Sequence, residues 1–258
     1  MAVELILTRK ENSIGFITLN RPEAMNTFTP EFAAQLDQAL WTMENDDDVR
    51  VIVINAAGKH FCTGISLDQF NNKTHQEYRK FLYGIDTFYH TLDKLNKPTI
   101  ASVQGFALAN GAGLSFGCDM TVAAETATFG TTAINVGLIC LGPAAPMMKI
   151  LGKKKTMEMV LTGEMISAAE AQQLGLVNKV VADEDLAAET LKLAEKLISK
   201  SPIALRIGKE GLKRLQDVPY HQGLDSMDDL FAALCATADA EEGVKAFLEK
   251  RAPNWKEC

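Results

Sequence analysis

Residues 51–66, VIVINAAGKHFCTGIS, and residues 99–113, TIASVQGFALANGAG, each run from an apolar strand-like segment into a glycine-bearing turn and then into helical sequence. A short apolar run bounded by turn signals is typical of a buried strand. Between them, residues 74–96 carry apolar side chains at helical spacing, and Lys97-Pro98 ends that helix. Strand, crossover helix and strand predict a right-handed parallel unit of an α/β protein.

The flanking segments extend this pattern. Residues 3–19 alternate as a hairpin and predict two antiparallel edge strands. Thr29-Pro30 is a helix start, with a capping hydroxyl followed by a proline at the first helical position. Residues 183–256 are helical in pattern, with breaks near Ser201-Pro202 and Val218-Pro219, and predict a helical C-terminal segment. Two further short strands are expected among the helices, at residues 119–125 and 177–181.

Composition restricts the class of protein. The 258 residues, 47% hydrophobic and 23% charged, fit one large globular domain or a domain with a small appendage. Lys and Arg total 26 and Asp and Glu total 33, and the net charge of −7 disfavours sequence-independent binding to nucleic acid. No window approaches the ~18 apolar residues of a membrane span, and the N-terminal segment has charges where a secretory signal is apolar. We therefore expect a soluble, cytoplasmic protein with no membrane or nucleic-acid partner.

The cysteines and histidines suggest neither disulfides nor a metal. Five widely spaced cysteines without a CxxC pair predict reduced and mostly buried thiols. The four histidines have no metal-ligand spacing. The cysteines are Cys62, Cys118, Cys140, Cys235 and Cys258.

Both glycine turns can deliver a backbone N–H into the crevice beyond the strand ends. Open α/β sheets bind ligands there, and a helix N-terminus adds unpaired donors. Two converging N–H groups make an oxyanion hole, in which each donor contributes roughly 3 kcal/mol in the transition state. Glycine turns after strands are also ordinary connections, so the pattern alone leaves both interpretations open.

Six separated runs of sequence match a known family. They are LNRPEAMNTF (residues 19–28), VIVINAAGKHFCTGISL (51–67), KPTIASVQGFALANGAG (97–113), CDMTVAAETATFG (118–130), TGEMISAAEAQQLGLVNKVV (162–181) and EGVKAFLEKRAPNW (242–255). On these runs, which occur in the family's order, the chain resembles the crotonase superfamily, the enoyl-CoA hydratase/isomerase family, over nearly its whole length.

This resemblance implies a spiral of ββα units over residues 1–200, which holds the acyl-CoA site, and a helical trimerisation region over residues 201–258. Trimers, or dimers of trimers, are implied. The substrate is implied to be a coenzyme A thioester with no separate cofactor, its carbonyl oxygen held by the N–H groups of Ile65 and Asn110. Because glycine is usual where this chain has Asn110, the shape of the acyl group stays open.

Other positions match the family's coenzyme A contacts. Residues on the adenine and pantetheine path are Ala24, Met25, Thr63, Ser66 and Leu67. In family trimers, a C-terminal segment covers coenzyme A bound to a neighbour, and Phe231, Phe247 and Lys250 match it. Lys250 suits a phosphate on an acidic chain. The alternatives are core packing for the two phenylalanines and a solvated helix face for Lys250.

The family's hydratases bind and activate water with two glutamates, and this chain has Gly113 and Ala133 at those positions. General acid/base catalysis, worth roughly 10²- to 10⁴-fold, is therefore missing from them. An oxyanion hole serves any reaction through a thioester enolate, so the reaction is not determined. The lost side-chain volume suggests room for a cyclic or branched acyl group.

Asp86 is the candidate replacement for the missing acid/base group. Its position resembles that of a catalytic histidine in hydrolytic dehalogenases of the superfamily, although no nucleophilic carboxylate occurs near Leu141. In an apolar pocket its pKa would rise toward useful values. Alternatively, Asp86 is exposed on the rim of a helix and pairs with Arg79 or His90.

Four other side chains are weaker candidates. Cys140 is expected to be an inert, packed thiol. Thr131, Thr132 and Asn135 either orient a water or cap a turn.

The leading hypothesis is hydration of an enoyl-CoA, cyclic and branched thioesters included. The alternatives are another reaction of the superfamily, such as isomerisation, decarboxylation or hydrolysis, and an inactive protein that binds acyl-CoA.

Overall fold

The computed structural model describes residues 4–256, so Cys258 lies outside the described part. The strands are β1 (Ile6–Glu11), β2 (Ile14–Leu19), β3 (Val51–Ala56), β4 (Thr99–Val103), β5 (Phe106–Leu108), β6 (Met120–Ala124), β7 (Thr128–Gly130), β8 (Met165–Ser167) and β9 (Lys179–Val181). The α-helices are α1 (Pro30–Glu44), α2 (His75–Ile85), α3 (Thr87–Lys94), α4 (Asn110–Gly117), α5 (Leu141–Thr162), α6 (Ala168–Gln173), α7 (Leu186–Ile198), α8 (Pro202–Leu215), α9 (Tyr220–Cys235) and α10 (Ala238–Glu249).

The main sheet has six strands in the order β1-β2-β3-β4-β6-β9. β3 and β4 are parallel neighbours, with Ile52 opposite Thr99, which confirms the predicted parallel unit. β1 pairs antiparallel with β2, but β2 also pairs in parallel with β3. The prediction of two edge strands is therefore wrong for β2. It is buried on nearly every residue because it has a neighbour on both sides.

A second sheet has three strands, in the order β5-β7-β8. Its strands have three residues each, too few for a recognisable sequence period. β4-β5-α4 and β6-β7-α5 repeat one order, two strands in different sheets followed by a helix. This repeat is the expected spiral of ββα units.

The helix expected over residues 74–96 is two helices. α2 begins with a capping box between Thr74 and Glu77, and it ends at Asp86, whose φ and ψ are −88° and 3°. α3 then starts with the N–H of Tyr89 bonded to the carbonyl of Asp86 at 3.1 Å. Aspartate has a low intrinsic preference for helix interiors. The break puts Asp86 at a corner of the backbone instead of mid-helix.

The C-terminal segment is helical, as predicted, and its first break is at Ser201-Pro202. A further break at Ala236-Thr237 was not expected, and the last helix ends at Glu249, just before Lys250, which has φ of 55°. α8 to α10 pack on one another and leave apolar side chains exposed. No helix in residues 4–256 is long and apolar enough to cross a membrane.

Candidate active site

The two glycine-bearing turns lie side by side. The N–H of Cys62 donates to the carbonyl of Phe106 at 3.1 Å, and the N–H of Leu108 donates to the carbonyl of Cys62 at 2.9 Å. A Cβ on Gly111 would come within 2.1 Å of the Cys62 carbonyl oxygen. The start of α4 therefore lies directly against the turn that follows β3, a distance only glycine permits.

Because of this contact, Ile65 and Asn110 lie in neighbouring turns. The N–H of Phe28 donates to the carbonyl of Gly64, and the N–H of Ser66 donates to the carbonyl of Phe28. Gly64 and Ser66 are the residues on either side of Ile65. The N–H of Ile65 therefore points away from Phe28, and the N–H of Asn110 belongs to the first turn of α4, whose donors have no partner within the helix. Neither N–H has an acceptor among the described residues.

Gly64 and Ala109 hold the two donors close. A Cβ on Gly64, which has φ of 98°, would be 3.6 Å from the Asn110 nitrogen and 2.7 Å from the Ala109 Cβ. Ala109 itself has φ of 47° and ψ of −123°, a conformation that costs a residue with a side chain on the order of 1–3 kcal/mol. A 2.8 Å bond from its N–H to the Gly130 carbonyl supports that strained turn.

Asp86 lies beside Asn110. The Nδ2 of Asn110 donates a 2.7 Å hydrogen bond to the Oδ1 of Asp86. Burial raises the pKa of Asp86 above its ordinary value, and the Asn110 bond and the charge of His90 partly oppose that rise. The alternative of a carboxylate exposed on the rim of the helix is wrong, because Asp86 is half-buried and bonded to Asn110, although His90 is close enough for its charge to act on Asp86.

Gly113 is packed against Tyr89. A Cβ on Gly113 would be 1.7 Å from the Tyr89 hydroxyl oxygen and 2.7 Å from Cζ. The space expected from the lost glutamate is filled on this side, so the volume argument for a bulky acyl group does not hold there. The sequence gives Tyr89 only as part of an apolar helix face, and its spacing three residues after Asp86 is the one signal that could have identified it.

Ala133 is half-buried in a short 3-10 helix, Thr132–Val136. The backbone of Ala133 hydrogen-bonds the thiol of Cys140, so these two residues are close to each other. Burial raises the pKa of Cys140 and keeps it a thiol, consistent with inert packing. Thr131 makes no capping bond, and its buried hydroxyl has no hydrogen-bond partner in the part of the chain that the structure describes.

The residues expected on the coenzyme A path lie on two neighbouring segments, residues 24–25 and 63–67, which we call the rim. The N–H of Thr63 donates to the Met25 carbonyl at 3.2 Å, so the segment around Met25 runs beside the turn that holds Ile65. Ala24, Thr63 and Ser66 are half-buried, and Met25 and Leu67 are exposed.

Asn26 anchors this rim, a role that was not predicted from the sequence. The side chain is fully buried and accepts from the Arg21 N–H at 2.7 Å. Its Nδ2 donates to the carbonyls of Ala57 at 3.0 Å and His60 at 2.9 Å. With φ of 54°, Asn26 adopts a conformation that asparagine tolerates better than most residues, which is the available sequence signal.

Phe231, Phe247 and Lys250 lie on α9, on α10 and at the end of α10. Phe231 is 66% exposed and Phe247 is 82% exposed, so the core-packing alternative for both is wrong within the single chain. Lys250 is exposed.

Clusters of titratable side chains and cavities elsewhere in residues 4–256 are the other places where a site could lie. No group of three or more His, Cys, Asp or Glu side chains within residues 4–256 could hold a metal ion. A cavity of about 730 Å³ lies between α5 and α8 and touches Tyr89 at one edge, but neither Ile65 nor Asn110 lines it.

Three comparisons relate the chain to known proteins. The family model for enoyl-CoA hydratase/isomerase matches residues 9–258. A probable mitochondrial enoyl-CoA hydratase of Dictyostelium discoideum is 35% identical, over 96% of this chain and 89% of that protein. The 2,3-dehydroadipyl-CoA hydratase of Escherichia coli is 36% identical, over 98% of each. The crystal structure of an enoyl-CoA hydratase of Mycobacterium smegmatis superposes with a TM-score of 0.93 at 36% identity, covering 97% of this chain and 98% of that one.

Proposed function

Since the chain belongs to the enoyl-CoA hydratase/isomerase family, we propose that it hydrates an enoyl-CoA thioester through an enolate held by the N–H groups of Ile65 and Asn110. The observation that carries the proposal is that both donors lie beside Gly64 and that neither has an acceptor in residues 4–256. The names of the related hydratases support the same reaction class.

The two donors act on the thioester carbonyl. When water adds at C3, negative charge develops on the carbonyl oxygen, and fixed N–H groups stabilise that charge by roughly 3 kcal/mol each. The N-terminus of α4 adds a partial positive charge at the same place. The strained turn at Ala109 holds the donors in position before the substrate arrives.

Asp86 handles the proton. Its carboxylate takes one proton from water as the water oxygen bonds to C3, and the enolate then takes that proton at C2. The product carries the elements of one water molecule across the former double bond. The raised pKa of Asp86 suits both halves of this step, because it moves the group toward the pH at which it works.

Coenzyme A is part of the substrate, and we propose no separate cofactor or metal. Its path runs along the rim formed by Ala24, Met25, Thr63, Ser66 and Leu67. The exposed Phe231 and Phe247 favour self-association, as a trimer or a dimer of trimers, in which these rings and Lys250 approach coenzyme A on a neighbouring copy.

The test is the loss of ultraviolet absorbance of conjugated enoyl thioesters, from crotonyl-CoA to cyclic enoyl-CoAs. We expect turnover on at least one member, with kcat lower by 10²- to 10⁴-fold in Asp86→Asn. Asp93→Asn is the matched control, because Asp93 is an exposed aspartate on α3. Equal activity of Asp86→Asn and the wild type would remove Asp86 from the mechanism.

A second candidate follows from Gly113 and Ala133, which provide no carboxylate. In this second candidate, the chain either catalyses another enolate reaction, such as isomerisation, decarboxylation or hydrolysis, or binds acyl-CoA without turnover. Calorimetric binding of butyryl-CoA with no hydration anywhere in the panel would favour this candidate.

A further inference from the structure

We propose that the hydroxyl of Tyr89 takes over the place of a lost glutamate and donates a hydrogen bond to the oxygen that is added at C3 of the acyl group. This inference rests on the proposed hydration and extends it to a residue that the family pattern does not assign.

The position of the hydroxyl is the first argument. It lies where a side chain on Gly113 would begin, 1.7 Å from an ideal Cβ. Gly113 is one turn along α4 from Asn110, and its N–H bonds to the Ala109 carbonyl at 3.0 Å. A group at this place is therefore one helical turn from Asn110, whose N–H belongs to the proposed carbonyl site. The ring cannot move away freely, since it packs on Phe88 with centroids 4.1 Å apart.

The Tyr89 hydroxyl also has no hydrogen-bond partner among the described residues. Its oxygen is buried and makes no hydrogen bond to any described residue. Leaving a buried hydroxyl unsatisfied costs roughly 1–3 kcal/mol, a cost that phenylalanine would avoid. An unpaired hydroxyl that lies beside a substrate site in spite of this free-energy cost is suited to donate a hydrogen bond to an atom of a ligand.

The surroundings restrict what the hydroxyl can do. Asp86, Cys140 and Cys62 are the titratable groups that act on it, and burial followed by Asp86 raises its pKa well above the ordinary value. Tyr89 therefore stays protonated at neutral pH and serves as a donor, never as a base. Asp86 is the complementary acceptor, and a Cβ on Gly142 would be within 3.1 Å of the Tyr89 ring and 3.4 Å of both Asp86 oxygens.

The Tyr89 hydroxyl and the Asp86 carboxylate together take the roles of the two missing glutamates. In hydration, Tyr89 O–H donates to the water oxygen and leaves a lone pair of that oxygen free to bond to C3, while Asp86 takes the proton. In the reverse direction the same O–H donates to the departing hydroxide. The phenol keeps its proton throughout, so no further reactant is needed.

The test compares ligands that differ by one hydroxyl. Calorimetry gives Kd for butyryl-CoA against 3-hydroxybutyryl-CoA, and for cyclohexanecarbonyl-CoA against 2-hydroxycyclohexanecarbonyl-CoA. We expect the wild type to prefer the hydroxylated member of at least one pair by about tenfold, as one hydrogen bond provides. Tyr89→Phe is expected to lose that preference, and Tyr83→Phe, which alters an exposed tyrosine, is expected to keep it.

Kinetics separate catalysis from packing. Tyr89→Phe keeps the ring, so we expect its melting temperature to equal or exceed that of the wild type, its kcat to fall by about 10- to 100-fold and its KM to change little. Absence of any preference in the wild type, or its retention in Tyr89→Phe, overturns the proposal. A hydroxyl preference that depends on Tyr89, with no hydration of any thioester, supports the Tyr89 contact and contradicts only the proposed reaction.

Discussion

The side-chain amide of Asn110 donates a 2.7 Å hydrogen bond to the carboxylate of Asp86. This bond joins the start of α4 to the corner between α2 and α3. Asn110 therefore has two separate roles in the account, a backbone donor for the thioester and a side-chain donor for the proposed acid/base group. Its side chain is turned to Asp86, which explains how it fits where glycine is usual.

Asn110→Ala should shift the pH profile without removing the backbone donor. A hydrogen bond to a carboxylate favours its ionised form, so losing it raises the pKa of Asp86 further. We expect the acid limb of kcat/KM to move to higher pH, with kcat on the alkaline plateau within about threefold of the wild type. Asn71→Ala, at an exposed asparagine, is the control. An unmoved acid limb would show that Asp86 does not set the profile.

Asp86→Asn should stabilise the fold in a pH-dependent way. Burial raises the pKa of Asp86 in the folded chain above its unfolded value, so the folded state holds the proton more tightly. The wild type therefore loses stability as pH rises through the interval between those two values. We expect Asp86→Asn to exceed the wild type in urea unfolding at pH 7, with the difference shrinking toward pH 4. A difference that does not vary with pH would contradict the burial argument.

Gly113→Ala should destabilise the protein through Tyr89. The new methyl would meet the Tyr89 hydroxyl, and overpacking of this kind costs about 1–3 kcal/mol. In a Tyr89→Ala background the same change should cost nothing, so the cost of the double variant should be about 1–3 kcal/mol less than the sum of the two single costs in a double-mutant cycle.

Gly84→Ala is the matched control for that cycle, since it lies in α2 with no atom within 4 Å of its added Cβ. It should leave stability unchanged or raise it by up to about 1 kcal/mol. Equal costs of Gly113→Ala in both backgrounds would mean that Tyr89 does not occupy the site.

Much of this architecture could be predicted from the sequence. The β3 and β4 segments are continuous apolar runs, so their burial and parallel pairing follow from composition and from the helical sequence between them. The helix start at Thr29 could also be predicted from its capping hydroxyl. The structure confirms it, since that hydroxyl accepts the Phe32 N–H at 3.2 Å. The local sequence determines these strands and this helix start, and no contact between residues distant in the sequence changes them.

The contacts of Asp86 and Tyr89 could not be predicted in the same way. Helical spacing places Asp86 inside one long helix, whereas the chain breaks there. Tyr89 reads as one more apolar residue, because nothing local indicates that Gly113, on another helix, leaves room for its hydroxyl. Tertiary packing decides both, which is common at functional sites.

The C-terminal helices give a prediction about assembly. Phe247 and Leu248 are exposed in the single chain at 82% and 73%, which is unfavourable for apolar side chains in water. Sedimentation of the wild type should show trimers or hexamers at micromolar concentration, and Phe247→Asp should shift the population toward monomers. A monomeric wild type would remove the proposed neighbour contact with coenzyme A.

The two N–H groups of Ile65 and Asn110 are the centre of the account, and the carbonyl stretching frequency of bound butyryl-CoA, carbon-13 labelled at the thioester carbonyl, tests them directly. Saturated butyryl-CoA has no double bond to hydrate, so the measurement does not depend on hydration. We predict that isotope-edited infrared spectra show a lower carbonyl frequency on binding to the wild type, and a smaller shift in Gly64→Ala, whose Cβ would meet Ala109. Tight binding with an unshifted carbonyl frequency would contradict the account.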